Sequence, residues 1–411
     1  MKRLFKKVVA VATVMAMCMS MVACSEEAAT SESSGGGSSS SSSSGDTIKL
    51  GFVYPITGNA PNIGAACKNG SQLAIDEINA AGGINGKQIE AVFEDDENKP
   101  ATAPNAVTKL LEQDKVDMVL GSYASSCSIA MAPIVNEAKK IMISVGSTNA
   151  KVTAEGGEYI FRACFIDPLQ GKVAATFAKN TLKADKVAML YDVGKDYCVG
   201  ISSQFKETFE ADGGTIAYEG KYNTGDSDFK SYLTEIKNSG ATVLYLPDDY
   251  DVVGLIAKQV SEIGLDIQLM SSDSCSDPAL VEIGGDAVEG MYFTDHVSIQ
   301  SDNLKDFVAD YKEKFDADPG SFSVLGYDAV YIAKAAIEKA GSTDADAVKD
   351  ALHSLDEKCG TTNYKFDENG DPIKSVVVNQ VKDGSFSFVE EISPEAVSYT
   401  HLRAHETDSY L

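Results

Sequence analysis

Residues 243–271 read VLYLPDDYDVVGLIAKQVSEIGLDIQLMS. Val243–Leu246 is a short apolar run, Pro247-Asp-Asp-Tyr-Asp251 is a polar loop, and Val253, Ile256, Val260 and Ile263 recur at spacings of three and four. That spacing predicts a helix with one apolar face, and Gln268–Ser271 closes the unit as a second strand. The βαβ rhythm repeats outward in both directions. Strands are predicted at Ile48–Tyr54, Gln88–Glu94, Met118–Gly121, Ile141–Ser144, Lys186–Tyr191, Thr215–Tyr222 and Met291–Thr294. Between them lie helical stripes such as Leu169/Val173/Phe177 and Phe229/Leu233/Ile236. The fold class is therefore α/β, with mainly parallel sheets. After Thr294 the rhythm changes: helices are expected over 303–315, 323–339 and 345–355, then strands near Tyr364–Phe366, Val376–Lys382 and Ser385–Val389.

The 411 residues exceed one small core, and 44% hydrophobic with 23% charged residues is the mixture of a globular protein. Two Rossmann-like lobes are expected, with a seam near Asp167-Pro168 where an Arg162–Asp167 linker gives way to a fresh βαβ series. The expected division is 46–167 plus 296–358 in one lobe and 168–295 plus 359–396 in the other, so that several crossings form a hinge. Asp and Glu number 61 against 35 Lys and Arg, a formal net charge of -26. So acidic a surface repels phosphate backbones and anionic lipid headgroups, which argues against nucleic-acid and peripheral membrane partners.

The ends read as addresses. Lys2 to Lys7 is basic, Val8 to Ala23 is apolar but short for a bilayer span, and Val22-Ala23-Cys24 resembles a bacterial lipobox with Met21 in place of the commoner leucine. Residues 1–23 are then a signal peptide, Cys24 the lipidated residue, and 24–45 a Ser/Gly tether that cannot bury apolar surface. A secretory signal with an incidental Cys24 is the plainer alternative. At the other end, Val397-Ser-Tyr-Thr-His-Leu-Arg-Ala-His-Glu-Thr407 has no period and resembles the translation of a sequencing adapter, so 397–411 are read as a non-native tail. The pair His401 and His405 is set aside as a metal site with it. The remaining cysteines, at 67, 127, 164, 198, 275 and 359, are scattered singly and show no metal-ligand spacing.

Ligands of open α/β sheets sit beyond the carboxyl ends of the strands, so the loops to inspect are 55–64, 122–128, 145–148, 192–198, 247–251 and 272–276. In chain order the sequence around these loops resembles the branched-chain amino-acid (Leu/Ile/Val) binding proteins of ABC importers, the type I periplasmic-binding fold. The resemblance is carried by Ile48-Lys-Leu-Gly-Phe52, Thr57-Gly58, Asn69-Gly70, the Ala74–Lys87 run, Glu94-Asp-Asp96, Ile143-Ser144 and Ser147-Thr-Asn149. It continues through Phe161-Arg162, Asp228-Phe229, Ile256–Gln259, Gly264-Leu265, Gly284–Gly290, Gly326–Ala329 and Phe366–Asp371. It implies an amino-acid ligand whose carboxylate meets Ser125 and Thr148, and whose ammonium meets the Gly146 carbonyl, the Thr148 hydroxyl and Asp273, with Tyr197 closing from the second lobe. Asp273 stands where the family commonly has Glu. Ile63 and Asp249 occupy positions often aromatic in the family, which changes the side-chain pocket and puts branched-chain selectivity in doubt. The positions of a disulfide found in some relatives are Asn98 and Ala124, so that bridge is not expected.

Each residue also has a plainer reading: Ser125 as an N-cap, Asp273 as a cap near Pro278 or a solvated loop residue, Thr148 as a turn partner of Asn149. Ser203-Gln-Phe-Lys206, Ser301-Asp-Asn303 and Lys339-Ala-Gly341 approach the motifs of a serine acyl enzyme, but in the wrong structural context. Asp367–Asp371 begins like a calcium loop, yet Pro372 stands where Gly is required. No enzyme activity, cofactor or metal is expected. A sensor module for amino acids or amides is the alternative to transport. The expected partners are the ligand and the permease and ATPase subunits of an importer, met by an exported monomer anchored through lipid to the outer face of the cytoplasmic membrane.

Overall fold

A computed structural model describes residues 47–393, so the signal, Cys24, tether and tail readings lie outside the described residues. Ten strands precede the change of rhythm: β1 Ile48–Tyr54, β2 Ile89–Asp95, β3 Met118–Gly121, β4 Ile141–Ser144, β5 Ile160–Arg162, β6 Lys186–Asp192, β7 Thr215–Tyr222, β8 Val243–Tyr245, β9 Gln268–Ser271 and β10 Tyr292–Asp295. Four follow it: β11 Asp356–Cys359, β12 Thr362–Lys365, β13 Val376–Lys382 and β14 Ser385–Ile392. The first five form a parallel sheet in the order β2-β1-β3-β4-β5. A second sheet runs β14-β13-β10-β9-β8-β6-β7, parallel except for β13 and β14. This is the expected α/β class.

β3 and β4 are buried at every position, because helices cover both faces of the sheet, and this is why they read as unbroken apolar runs. Two strands escaped the sequence reading. β5 has only three residues, ends in Arg162 and falls inside the stretch read as linker; β11 is Asp-Glu-Lys-Cys and presents no apolar run. Ser301-Asp-Asn303 enters a single 3-10 turn, so the helix expected from Asn303 begins at Lys305.

The chain passes between the sheets three times: after β5, after β10, and again before β13. In the second excursion the helix Ser321–Ala340 packs on the helix Pro61–Ala80, beside the first sheet. The two backbones touch where both helices carry glycine. A Cβ on Gly70 would lie 1.9 Å from the Ser323 carbonyl oxygen, and one on Gly326 would lie 2.3 Å from that of Cys67. The Ser71 hydroxyl locks the crossing by donating to the Gly326 carbonyl at 3.1 Å. Asn69-Gly70 and Gly326-Tyr-Asp328 thus serve one contact 255 residues apart.

Two of the crossings are tied by a buried ion pair. Arg162 Nε lies 2.6 Å from Asp371 Oδ1 with the guanidinium wholly buried. Its remaining nitrogens donate to the carbonyls of Ser147 at 2.7 Å and Asn149 at 3.0 Å, and to the Thr153 hydroxyl at 2.8 Å. The turn Asp367–Asp371 is therefore an anchor for Arg162. The six described cysteines are free and buried.

Candidate functional site

The carboxyl ends of both parallel sheets face a cavity of about 200 Å3. Its wall takes residues from the loops after β1 to β4 and after β6 to β9, among them Ser125, Gly146, Tyr197, Asp249 and Asp273. Thr148 and Ile63 are not on that wall. Thr148 is wholly buried behind it, its hydroxyl without a partner of good geometry. Ile63 lies in the core under the Pro61–Ala80 helix, and the loop before that helix presents Asn59 to the cavity instead.

Asp273 opens the 3-10 turn that follows β9 and is 1% exposed. Its Oδ1 accepts from the Tyr197 hydroxyl at 2.7 Å and from the Gln170 amide at 2.7 Å. Its Oδ2 is 3.0 Å from His296 Nε2. Burial lowers the His296 pKa, and the neutral ring that results satisfies the carboxylate with its proton on Nε2. All three donors are thus neutral. No lysine or arginine pairs with Asp273 among the described residues. The nearby Asp167 does not supply a second fixed charge: burial, with Asp273 adding to it, pushes its carboxyl up to about 8.

Ser125 is the first residue of the helix Ser125–Glu137, while Ala124 takes the N-cap position. Its hydroxyl makes no cap; it accepts from the Asn149 N–H at 3.2 Å, which leaves its own proton to donate. Gly146 passes between the rings of Tyr123 and Phe322, which meet edge to face at 5.0 Å. A Cβ there would stand 3.1 and 3.0 Å from ring carbons, so a larger residue would press both rings back by a few tenths of an ångström.

A second part of the cavity wall is charged but paired within itself. Lys195 Nζ lies 2.5 Å from Asp248 and 2.7 Å from Asp249, and the Tyr123 hydroxyl donates to Asp249 at 2.6 Å. Burial acts to raise the Asp249 carboxyl, but Lys195 and Tyr123 outweigh it and hold it below its ordinary value. Tyr123 and Asp249 come from different sheets, as do Ser126 and Asp196, whose side chains meet at 3.0 Å. The site is drawn shut across the gap between the two halves.

Gln170, His296, Lys195 and Tyr123 were not singled out from the sequence. Lys195 and Tyr123 fall inside loops marked for inspection; Gln170 follows the seam on the helix Asp167–Asn180. His296 offered no signal, since a lone histidine after a strand is chemically mute until its partner is placed. The residues of the acyl-enzyme motifs are engaged elsewhere: Lys206 with Glu219 at 2.7 Å and Lys339 with the Ser354 carbonyl at 2.6 Å.

Two α/β halves joined by three crossings, with a cavity between their strand ends, define a two-lobed small-molecule binding protein. The sequence matches the periplasmic binding protein family over residues 47–385, and the chain belongs to that family. It is 33% identical to the leucine-, isoleucine-, valine-, threonine- and alanine-binding protein of Pseudomonas aeruginosa, over 79% of this chain and 87% of that one. The crystal structure of a leucine binding protein from Thermotoga maritima superposes with a TM-score of 0.81 at 35% identity, covering 85% of this chain and 99% of the other. A solute binding protein of an ABC transporter from Rhodopseudomonas palustris, in complex with 3,4-dihydroxybenzoic acid, superposes at 0.77 with 26% identity, covering 84% and 97%.

Proposed function

We propose that this protein is the extracellular solute-binding protein of an ABC importer and captures an amino acid between two closing lobes for delivery to a permease. One lobe is built on the sheet β2-β1-β3-β4-β5 and the other on the sheet β14-β13-β10-β9-β8-β6-β7, with the third crossing before β13. The observation that carries the reading is Asp273, a buried carboxylate held by three neutral donors and by no cation. An uncompensated buried charge is costly, and a ligand ammonium is the group that relieves it. The Gly146 carbonyl completes the ammonium site and Tyr197 closes it, while Thr148, behind the wall, supports them without reaching the ligand. The Ser125 hydroxyl and the free N–H groups at the start of its helix take the carboxylate. Binding involves no covalent step. Lipid on Cys24 would hold the folded part at the outer face of the cytoplasmic membrane, and Cys24→Ala should release it from the membrane fraction.

The benzoate-type ligand of the Rhodopseudomonas palustris protein suggests a second reading, an aromatic carboxylic acid. Such an anion has no cation to offer Asp273. A thermal-shift screen separates the two, since a ligand bound only by the folded state raises its stability with the logarithm of ligand concentration. Shifts with one or more amino acids are expected; shifts with benzoates alone would reject the amino-acid reading.

A further inference from the structure

The amino-acid reading leaves the side chain of the ligand open, and the present inference rests on that reading. Away from Asp273, the cavity wall presents the polar groups of Asn59, Asn98, Lys195, Thr224 and Asp249 beside the rings of Tyr123 and Tyr197. Among the described residues that line the cavity there is no Leu, Ile, Val, Met or Phe. We infer that this end selects an amino acid with a neutral, hydrogen-bonding side chain, an amide or a hydroxyl, over the branched aliphatic ones.

The charged groups at this end already have partners inside the protein: one lysine is shared by two carboxyls, of which Asp248 is pushed above its ordinary range by burial. Lys195 sits between Asp248 and Asp249, and Asp249 takes further bonds from Tyr123 at 2.6 Å and from the Asn98 amide at 3.5 Å. A cationic ligand side chain would have to displace Lys195 from Asp249, and an anionic one would have to draw Lys195 from two carboxylates. Neither sign finds a counter-charge at this end that is without a partner among the described residues. Hydrogen-bonding capacity does remain. Lys195 has three N–H donors and two carboxylate partners, and the Asn98 side-chain oxygen takes no donor among the described residues. A neutral group with both a donor and an acceptor meets both. A leucine side chain would strip water from these groups and return no hydrogen bond.

Calorimetry on the purified protein with glutamine, asparagine, serine and threonine against leucine, isoleucine and valine tests this. At least one of the first four should bind ten times more tightly than leucine or better, a gap of about 1.4 kcal/mol. The double substitution Lys195→Met with Asp249→Leu removes both charges together and should shrink or invert that preference. Asn98→Leu, which leaves the ion pair in place, should reduce it as well and serves if the double variant does not fold. Equal or tighter binding of leucine, isoleucine or valine by the wild type, or tight binding only of acidic or basic amino acids, overturns the inference while leaving an amino-acid site. Binding of no amino acid overturns it together with the reading it rests on.

Discussion

Asp273 and Ser125 do different work, and the difference is measurable. Asp273 would meet a formal charge in a buried place, whereas Ser125 adds one hydroxyl bond to a charged group. Breaking a buried ion pair costs about 3–5 kcal/mol, and losing one hydrogen bond to a charged group about 1.5–3 kcal/mol. Asp273→Asn should therefore weaken amino-acid binding a hundredfold to several thousandfold and Ser125→Ala by less, as read by titration calorimetry with folding checked by circular dichroism. Wild-type affinity in Asp273→Asn would remove the ammonium assignment. In the asparagine variant Tyr197 and Gln170 keep an oxygen to bond, and the NH2 that replaces the other oxygen can donate to His296 Nε2 once the ring proton moves to Nδ1, so the loss should appear mainly in binding rather than in stability.

At the scale of elements, the crossing of the helices Pro61–Ala80 and Ser321–Ala340 is the contact most sensitive to a single methyl group. Gly70→Ala would place Cβ against backbone, which cannot rotate aside, so the helices must separate. Overpacking of this kind costs about 1–3 kcal/mol, reduced slightly by the better helix propensity of alanine. The midpoint of denaturant unfolding should fall while the slope stays unchanged. An unchanged midpoint would mean that the crossing relaxes freely. The helix Ser321–Ala340 also carries Phe322 against Tyr123 of the cavity wall, so a spread crossing should weaken ligand binding too.

For the whole molecule, the buried carboxyls set the direction of the pH response. Burial raises Asp167 to about 8, Asp295 to about 7 and Asp328 to about 6. In the unfolded chain such groups titrate near 4, so from about pH 4 upward the folded protein holds protons that the unfolded chain has released. These groups favour folding when protonated, and their contribution is lost as pH rises through each folded value. Melting temperature should accordingly fall between pH 5 and pH 8.5. Asp167→Asn should flatten the upper part of that fall, gaining on the wild type as pH increases; a variant whose deficit or gain is independent of pH would show that Asp167 does not titrate in this window.

The alternation of apolar runs and 3.6-residue stripes was enough to specify α/β units, because burial between helix layers leaves a local signature in every strand that is long enough. Ile48–Tyr54, Met118–Gly121, Ile141–Ser144, Thr215–Tyr222 and Val376–Lys382 coincide with their expected bounds. β5 and β11 were not legible, since three or four residues with a charged member carry no period. Loops at the carboxyl ends were legible as a site for the same topological reason, and Ser125, Gly146, Tyr197, Asp249 and Asp273 stand on one cavity wall. What local sequence cannot encode is who pairs with whom across the chain. Asp249 reads as an unpaired negative charge until Lys195, 54 residues earlier, reaches it. Asp371 reads as a turn until Arg162 reaches it, and His296 as nothing until Asp273 does. Each of these partnerships depends on distance in space between groups far apart in the chain, and only the folded arrangement of the two sheets sets that distance.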